Sequence, residues 1–166
     1  MNKEVETALT RARIHLVMNQ PFFGTLALYL HMQEGKVPTI GTDGTNLYYN
    51  PEFIEQLYSN GAGLDQLIGV ICHEVMHCCL NHIWRCQTRN KMIFNIAADF
   101  AVNLIVKDSG LRLPQDCLYD LKFKDMSAEE IYAKIIKDVQ EKQQQSEGNG
   151  EGNGEGSRCC GWFRSW

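Results

Sequence analysis

The sequence predicts an α+β fold that is mostly helical and contains a few short strands. Residues 2–18, 66–84 and 92–108 carry apolar side chains at helical spacing or around the whole helix. Asp43-Gly44, between β-forming residues, is a hairpin signal and indicates two short strands within residues 38–49. The 166 residues suffice for one domain with its own core.

The N-terminal elements follow from apolar spacing and from proline positions. The helix over residues 2–18 ends at Asn19-Gln20-Pro21. Residues 22–32 are apolar and aromatic, and we predict a strand in their second half, with a helix as the alternative. Asn50-Pro51 closes the hairpin and begins a short helix that reaches residue 58.

Three further helices are predicted, each with a residue that can cap its N-terminus. Asp65 is predicted to cap the buried helix in residues 66–84, and Asn90 the helix in residues 92–108. Ser127-Ala128-Glu129-Glu130 is a capping-box pattern and begins a helix that reaches about Gln140.

The composition changes after Lys142. Three glutamines and the repeated Glu-Gly-Asn-Gly of residues 147–156 offer too few apolar side chains for a core. We therefore predict a folded domain in residues 1–142. Residues 143–166 are predicted to be a Gly/Asn/Glu-rich flexible linker and a short unstructured tail. As an alternative, the aromatic residues of this tail dock on a partner.

Charge and composition exclude several classes of function. A net charge of −4 with no basic stripe argues against nucleic-acid binding. No apolar run reaches membrane-spanning length, and the charged residues 1–6 do not resemble a signal peptide. Seven cysteines, three of them in the buried helix of residues 66–84, indicate free thiols in a reducing compartment. We expect a cytoplasmic protein that binds neither nucleic acid nor membrane.

The segment His73-Glu74-Val75-Met76-His77 carries the strongest chemical signal. A helix advances about 100° per residue, so the two imidazoles lie about 40° apart on one face and can hold one metal ion. Glu74 can reach a water on that ion, and zinc hydrolases use this spacing. Apart from His82, residues 66–84 carry no other titratable side chain except thiols. The alternative is a core helix with two satisfied histidines and a glutamate that reaches the surface.

A catalytic zinc ion usually takes three protein ligands, so a third ligand is needed. We predict Asp99, a carboxylate on an otherwise apolar helix that would pair with the histidine helix; Asn95 and Asn103, one turn to either side, could orient the ligands. His82 is the alternative ligand, but a continuous helix would turn it about 180° away from His73, and we expect it to cap or pack the following turn. In a further alternative, Asp99 only hydrogen-bonds a ligating histidine.

Together, these motifs resemble the putative metallopeptidase domain family, a zincin-like group that commonly precedes a von Willebrand A-like domain. The resemblance covers about residues 5–140. It rests on Thr42-Asp43-Gly44, Leu47 to Pro51, His73 to His77 with His82 and Arg85, Asn95 to Asn103, Leu113-Pro114 and Met126 to Tyr132. It implies a zincin-like fold in which a small mixed β-sheet lies beside the buried metal helix. It also implies that an edge strand near the hairpin pairs with extended substrate.

The resemblance and the motif together imply a zinc-dependent metallopeptidase that acts on a peptide or protein substrate. One zinc ion per chain would be held by His73, His77 and Asp99, with Glu74 as the catalytic general base. The alternative is a non-catalytic zinc-binding adaptor that works with an AAA-type ATPase or a von Willebrand A-like partner. No such domain follows here, so we expect a minimal or truncated member whose protein partner binds through the tail or the missing domain.

Deleting residues 143–166 should leave zinc binding and the melting temperature nearly unchanged, because the linker composition cannot pack. Calorimetry and the metal content of the truncated and full-length proteins measure this. A large loss of stability would show instead that Trp162, Phe163 and Trp166 dock onto the domain.

Overall fold

A computed structural model describes residues 3–59, 61 and 63–148. Helices dominate this part of the chain and a small sheet accompanies them, which confirms the predicted fold class. In chain order the α-helices and strands are α1 (Lys3–Asn19), α2 (Pro21–Tyr29), β1 (His31–Glu34), β2 (Ile40–Thr42), β3 (Asn46–Tyr49), α3 (Pro51–Ser59), α4 (Gly63–Cys79), α5 (His82–Arg85), α6 (Lys91–Asp108) and α7 (Ala128–Gly148), and a 3₁₀ helix (Leu121–Phe123) lies between the last two.

The sheet is mixed, as predicted, and has the strand order β1-β3-β2. The predicted hairpin is present: β2 runs antiparallel to β3, with Thr42 opposite Leu47, whereas β1 runs parallel to β3. The carboxylate of Asp43 shapes the turn by accepting two backbone N–H groups, and Gly44 adopts a φ of +91° that favours glycine. This arrangement places β2 at the edge of the sheet, where it packs against α4.

Residues 21–29 form a helix, so our prediction of a strand there was wrong. Pro21 occupies the first turn, where its missing N–H is not needed. The buried residues Phe23, Gly24 and Ala27 share one helical face. Gly24 lies so close to α1 that an added Cβ would stand 2.5 Å from the Cα of Val17. Close packing on α1, which local sequence does not reveal, therefore selects the helix.

The predicted caps are partly confirmed. Asn90 accepts a hydrogen bond from the backbone N–H three residues later. Ser127 and Glu130 form the reciprocal capping box, with the Ser127 N–H donating to the Glu130 carboxylate at 2.8 Å. Asp65 is not the cap of α4, because the helix begins two residues earlier at Gly63. It lies in the first turn instead, where a negative charge favours the helix dipole.

The predicted continuous helix over residues 66–84 breaks. Helix α4 ends at Cys79, and Asn81 adopts a left-handed conformation with φ 59° and ψ 30°. The one-turn helix α5 then starts in a new direction. His82 is consequently 1% exposed and lies against His77. Our expectation that helical geometry turns His82 away was therefore wrong.

Helix α7 extends past its predicted end near Gln140 and includes residues 143–148, which we had assigned to the linker. Good helix formers in this stretch, glutamine and glutamate, explain the extension. The predicted tail and its aromatic residues lie in 149–166, outside the described residues, and the domain division remains a prediction.

Helix α4 lies at the centre of the fold. Residues 67–77 of this helix are all buried, and it packs against α1, α2, α3, α6 and β2. Gly69 allows the loop after α6 to approach, since an added Cβ would stand 1.9 Å from the carbonyl oxygen of Arg112. Among the described residues, no helix is both long and apolar enough to cross a membrane.

Replacing Gly24 with alanine tests the α1–α2 contact, because two effects change the free energy of unfolding in opposite directions. Helix propensity alone would stabilise the protein by about 1 kcal/mol. The collision with the backbone of α1 should outweigh this gain and destabilise it by about 1–3 kcal/mol. Denaturant unfolding of Gly24→Ala measures the difference, with the exposed Thr25→Ala as the matched control. A more stable Gly24→Ala protein would contradict the helix packing.

Candidate metal centre

Three buried side chains from two helices meet at one point. His73 and His77 come from α4 and Asp99 comes from α6, and each residue is 0% exposed. The Nε2 atoms of the histidines are 2.9 Å apart, and the Asp99 Oδ1 atom lies 3.5 Å from Nε2 of His73 and 3.2 Å from Nε2 of His77. Because α4 packs on α6, the polar stripe of α6 faces the histidines. The structure thus brings together the three residues that the sequence analysis predicted as metal ligands.

The donor atoms fit a divalent metal ion. In a tetrahedral site with bonds of about 2.05 Å, two ligand atoms are about 3.3 Å apart, a value within the range of the three separations measured here. Asp99 Oδ1 is buried and makes no hydrogen bond, although it faces both imidazoles. Two imidazole nitrogens and one carboxylate oxygen suit zinc and several other divalent transition metals.

The orientation of His73 is fixed by Asn103. The Asn103 amide donates to the carbonyl oxygen of Leu118 at 2.8 Å, which leaves its Oδ1 atom to accept a hydrogen bond. That atom lies 2.8 Å from Nδ1 of His73, so Nδ1 carries the proton. The lone pair of His73 is then on Nε2, the atom that faces Asp99, as in histidines that bind metals. Asn95 is more distant, with its amide 3.5 Å from Asp99 Oδ2.

His82 joins the site from outside α4, a position that our sequence reasoning missed. Its Nδ1 atom lies 3.2 Å from Nδ1 of His77. Burial, and then the charge of His77, lower the pKa of His82 to about 3, so the ring is neutral at ordinary pH. The available signal was Asn81, because asparagine adopts the left-handed conformation more readily than other residues with a Cβ.

Glu74 is a buried carboxylate without a conventional partner. It is 0% exposed, and neither of its oxygens makes a hydrogen bond of normal geometry, although the backbone of Thr42 is close enough to lower its pKa. Burial dominates and raises the pKa of Glu74 to about 8, with the charge of His73 opposing this effect. Buried polar groups are nearly always satisfied, so this carboxylate requires a proton, a water, a cation or a substrate group.

The charge states of the remaining groups also suit metal binding. Burial raises the pKa of Asp99, but the neighbouring imidazoles of His73 and His77 have a larger combined effect in the opposite direction, so the pKa lies below its ordinary value. Burial lowers the pKa of His73, but Asp99 and Glu74 together raise it above its ordinary value. A proton and a metal ion compete for this imidazole, and metal binding would therefore release a proton.

The fold and the site define a class, an α+β domain with an HExxH-type site on a buried helix. Comparison with known families agrees: the chain belongs to the family described as "Putative metallopeptidase domain", whose family model matches residues 4–161. This confirms the resemblance and extends it beyond the segment that our motifs covered. No curated protein and no solved structure matches the chain.

Replacing Asp99 with asparagine tests the third ligand, because the change removes the anionic oxygen but preserves size. Zinc affinity should fall by at least about tenfold, and Asp99→Ala should bind more weakly still. Isothermal titration with zinc measures the affinity of each variant. Asp108→Asn is the control, because Asp108 is an exposed carboxylate on the same helix. Unchanged affinity in both Asp99 variants would place the third ligand elsewhere.

Proposed function

We propose that this protein is a zinc-dependent hydrolase that cleaves peptide bonds, with Glu74 as the general base. The observation that carries the proposal is the state of Glu74. It is a fully buried carboxylate that makes no hydrogen bond of normal geometry, next in sequence to His73 and near Asp99. A metal site that is only structural needs no such group, and burying one there would be costly.

The residues of the site divide the chemistry between them. A zinc ion held by His73, His77 and Asp99 would lower the pKa of a water to about 7 and polarise the scissile carbonyl. The charge of the zinc ion would oppose the burial that raises the pKa of Glu74, and the ionised carboxylate would then accept the proton of the attacking water and return it to the leaving amine. Asn103 would hold the imidazole of His73 in the tautomer that leaves Nε2 unprotonated.

The position of β2 supports an extended peptide as the substrate. Among the described residues, β2 pairs only with β3 and thus forms an edge of the sheet. Its last residue, Thr42, lies beside Glu74. A peptide added to this edge as a further strand would pass close to Glu74, so that strand pairing would align the scissile bond.

A second candidate function is a non-catalytic zinc-binding adaptor that works with an AAA-type ATPase or a von Willebrand A-like partner. The complete burial of His73, Glu74, His77 and Asp99 favours this candidate. A catalytic zinc ion keeps one position open for water and substrate, whereas a structural zinc ion is enclosed by the protein. The two candidates differ in whether Glu74 performs chemistry.

Replacing Glu74 with glutamine separates these candidates. The amide keeps the size of the side chain but cannot accept the proton of water, so the rate of hydrolysis should fall by about 10²–10⁴ while zinc affinity stays close to that of wild type. Cleavage of a peptide library, followed by mass spectrometry, measures the rate, and zinc titration measures the affinity.

The exposed Glu130→Gln is the control, because it changes the same chemical group away from the site. Equal cleavage by wild type and Glu74→Gln would refute the proposed mechanism. Zinc binding without cleavage by either protein would favour the adaptor.

A further inference from the structure

We infer that His82 is a positioning residue that orients His77 for metal binding through the contact between their Nδ1 atoms. The inference rests on the proposed metal site and adds a residue to it. His82 does not touch the metal in this arrangement. It fixes the rotation of the His77 ring, so that Nε2 of His77 points to the same place as Nε2 of His73 and Oδ1 of Asp99.

His82 contacts His77 through a hydrogen bond and Phe94 through ring packing only. The Nδ1 atoms of His82 and His77 are 3.2 Å apart, so one donates a hydrogen bond and the other accepts it. The two rings meet at 71° with their centroids 5.2 Å apart. On its far side His82 meets the ring of Phe94 at 88° and 6.3 Å. The imidazole of His82 is 1% exposed.

The two ligating histidines would then be held in the same way. Asn103 from α6 occupies the Nδ1 side of His73, and His82 from α5 occupies the Nδ1 side of His77. In each case the partner belongs to a different helix from the ligand. Metal-binding histidines generally use their second nitrogen in this way, and loss of the partner weakens metal binding.

His82 contacts the side of the His77 ring that points away from the other two candidate ligands, so it is not placed to bind the same metal ion. It faces Nδ1, whereas the donor atoms that converge on the site include Nε2 of His77. Among the described residues, the group with converging donor atoms consists of His73, His77 and Asp99, and His82 is not part of it. The structure therefore favours a positioning role over our sequence-based alternative of a third ligand.

The backbone around His82 is also held in place. Arg85 donates to the carbonyl oxygen of Leu80 at 2.8 Å and forms a bidentate pair with Glu129 in the first turn of α7, one contact of which measures 2.9 Å. On another side, Trp84 packs on Gly44, where an added Cβ would stand 2.7 Å from the indole. These contacts fix α5, and with it His82, relative to α4.

The test compares two amides at position 82. In His82→Asn the amide lies close to the former Nδ1 and can keep the hydrogen bond to His77, whereas in His82→Gln it lies near the former Nε2 and cannot. We expect zinc affinity within a few-fold of wild type for His82→Asn and a loss of about 10–100-fold for His82→Gln. Affinity is measured by competition with a chelator, and the visible spectrum of bound Co²⁺ reports the ligand geometry.

Phe94→Leu is the packing control, because it removes contact with His82 but leaves the imidazole and His77 intact. It should lower the melting temperature with little change in zinc affinity or in the Co²⁺ spectrum. A merely structural His82 would instead make the amide variants resemble Phe94→Leu.

Three outcomes would overturn the inference. Equal zinc affinities for His82→Asn and His82→Gln, both like wild type, would remove the positioning role and leave the metal site intact. A large and equal loss of zinc affinity in both, with a spectrum of bound Co²⁺ that lacks one ligand, would make His82 a direct ligand. Wild-type protein that binds no zinc would refute the proposed function, and this inference with it.

Discussion

The cost of burying charge is the constraint on which the rest of this structure depends. Two carboxylates and two imidazoles on α4 and α6 are 0% exposed, and an unpaired charge in such a place is strongly destabilising. Two hydrogen bonds reduce this cost, because Asn103 accepts one from His73 and His82 shares one with His77. The oxygens of Glu74 and Oδ1 of Asp99 are left without hydrogen bonds. A divalent cation between the imidazoles and Asp99 would compensate the charge that remains.

The same constraint links metal binding to the stability of the core. Helix α4 packs against most of the other elements, so a change at His73 or His77 acts on the helix that organises the fold. Deprotonated Asp99 and two imidazoles with lone pairs directed inward are the forms that bind a cation. The free energy of binding is therefore also free energy of folding, and the metal-free protein should be less stable than the loaded one.

The features that the sequence predicted correctly are those that depend on local spacing or on a simple pairing of helices. The helical spacing of apolar residues in α1, the Asp43-Gly44 hairpin and the capping box at Ser127 each determine their own geometry within a few residues. The position of Asp99 beside the two histidines could be predicted because a single carboxylate on an apolar helix needs a partner, whereas its role as a ligand stays a prediction. By contrast, α2 is short and apolar throughout, so its period could not distinguish helix from strand. The position of His82 depends on one left-handed residue, Asn81, which separates α5 from α4 where the sequence spacing assumed one continuous helix.

The two candidate functions place opposite demands on the contacts around the site. A hydrolase must admit a peptide to Glu74, which is closed off by β2 on one side and by the core on the other. Helices α4 and α6 hold the ligands and are packed on several sides, so separating them would cost much of the core. The elements at the margin, β2 with its turn and the one-turn helix α5, are tied together by the packing of Trp84 on Gly44. If β2 and its turn moved away while α5 stayed against α4, His82 would still contact His77, and the three candidate ligands would remain in place. In an adaptor, the contact between Trp84 and Gly44 would keep the metal ion enclosed. The two candidate functions therefore differ at the Trp84–Gly44 contact. In a peptidase this contact would break when peptide binds, whereas in a structural zinc domain it would persist.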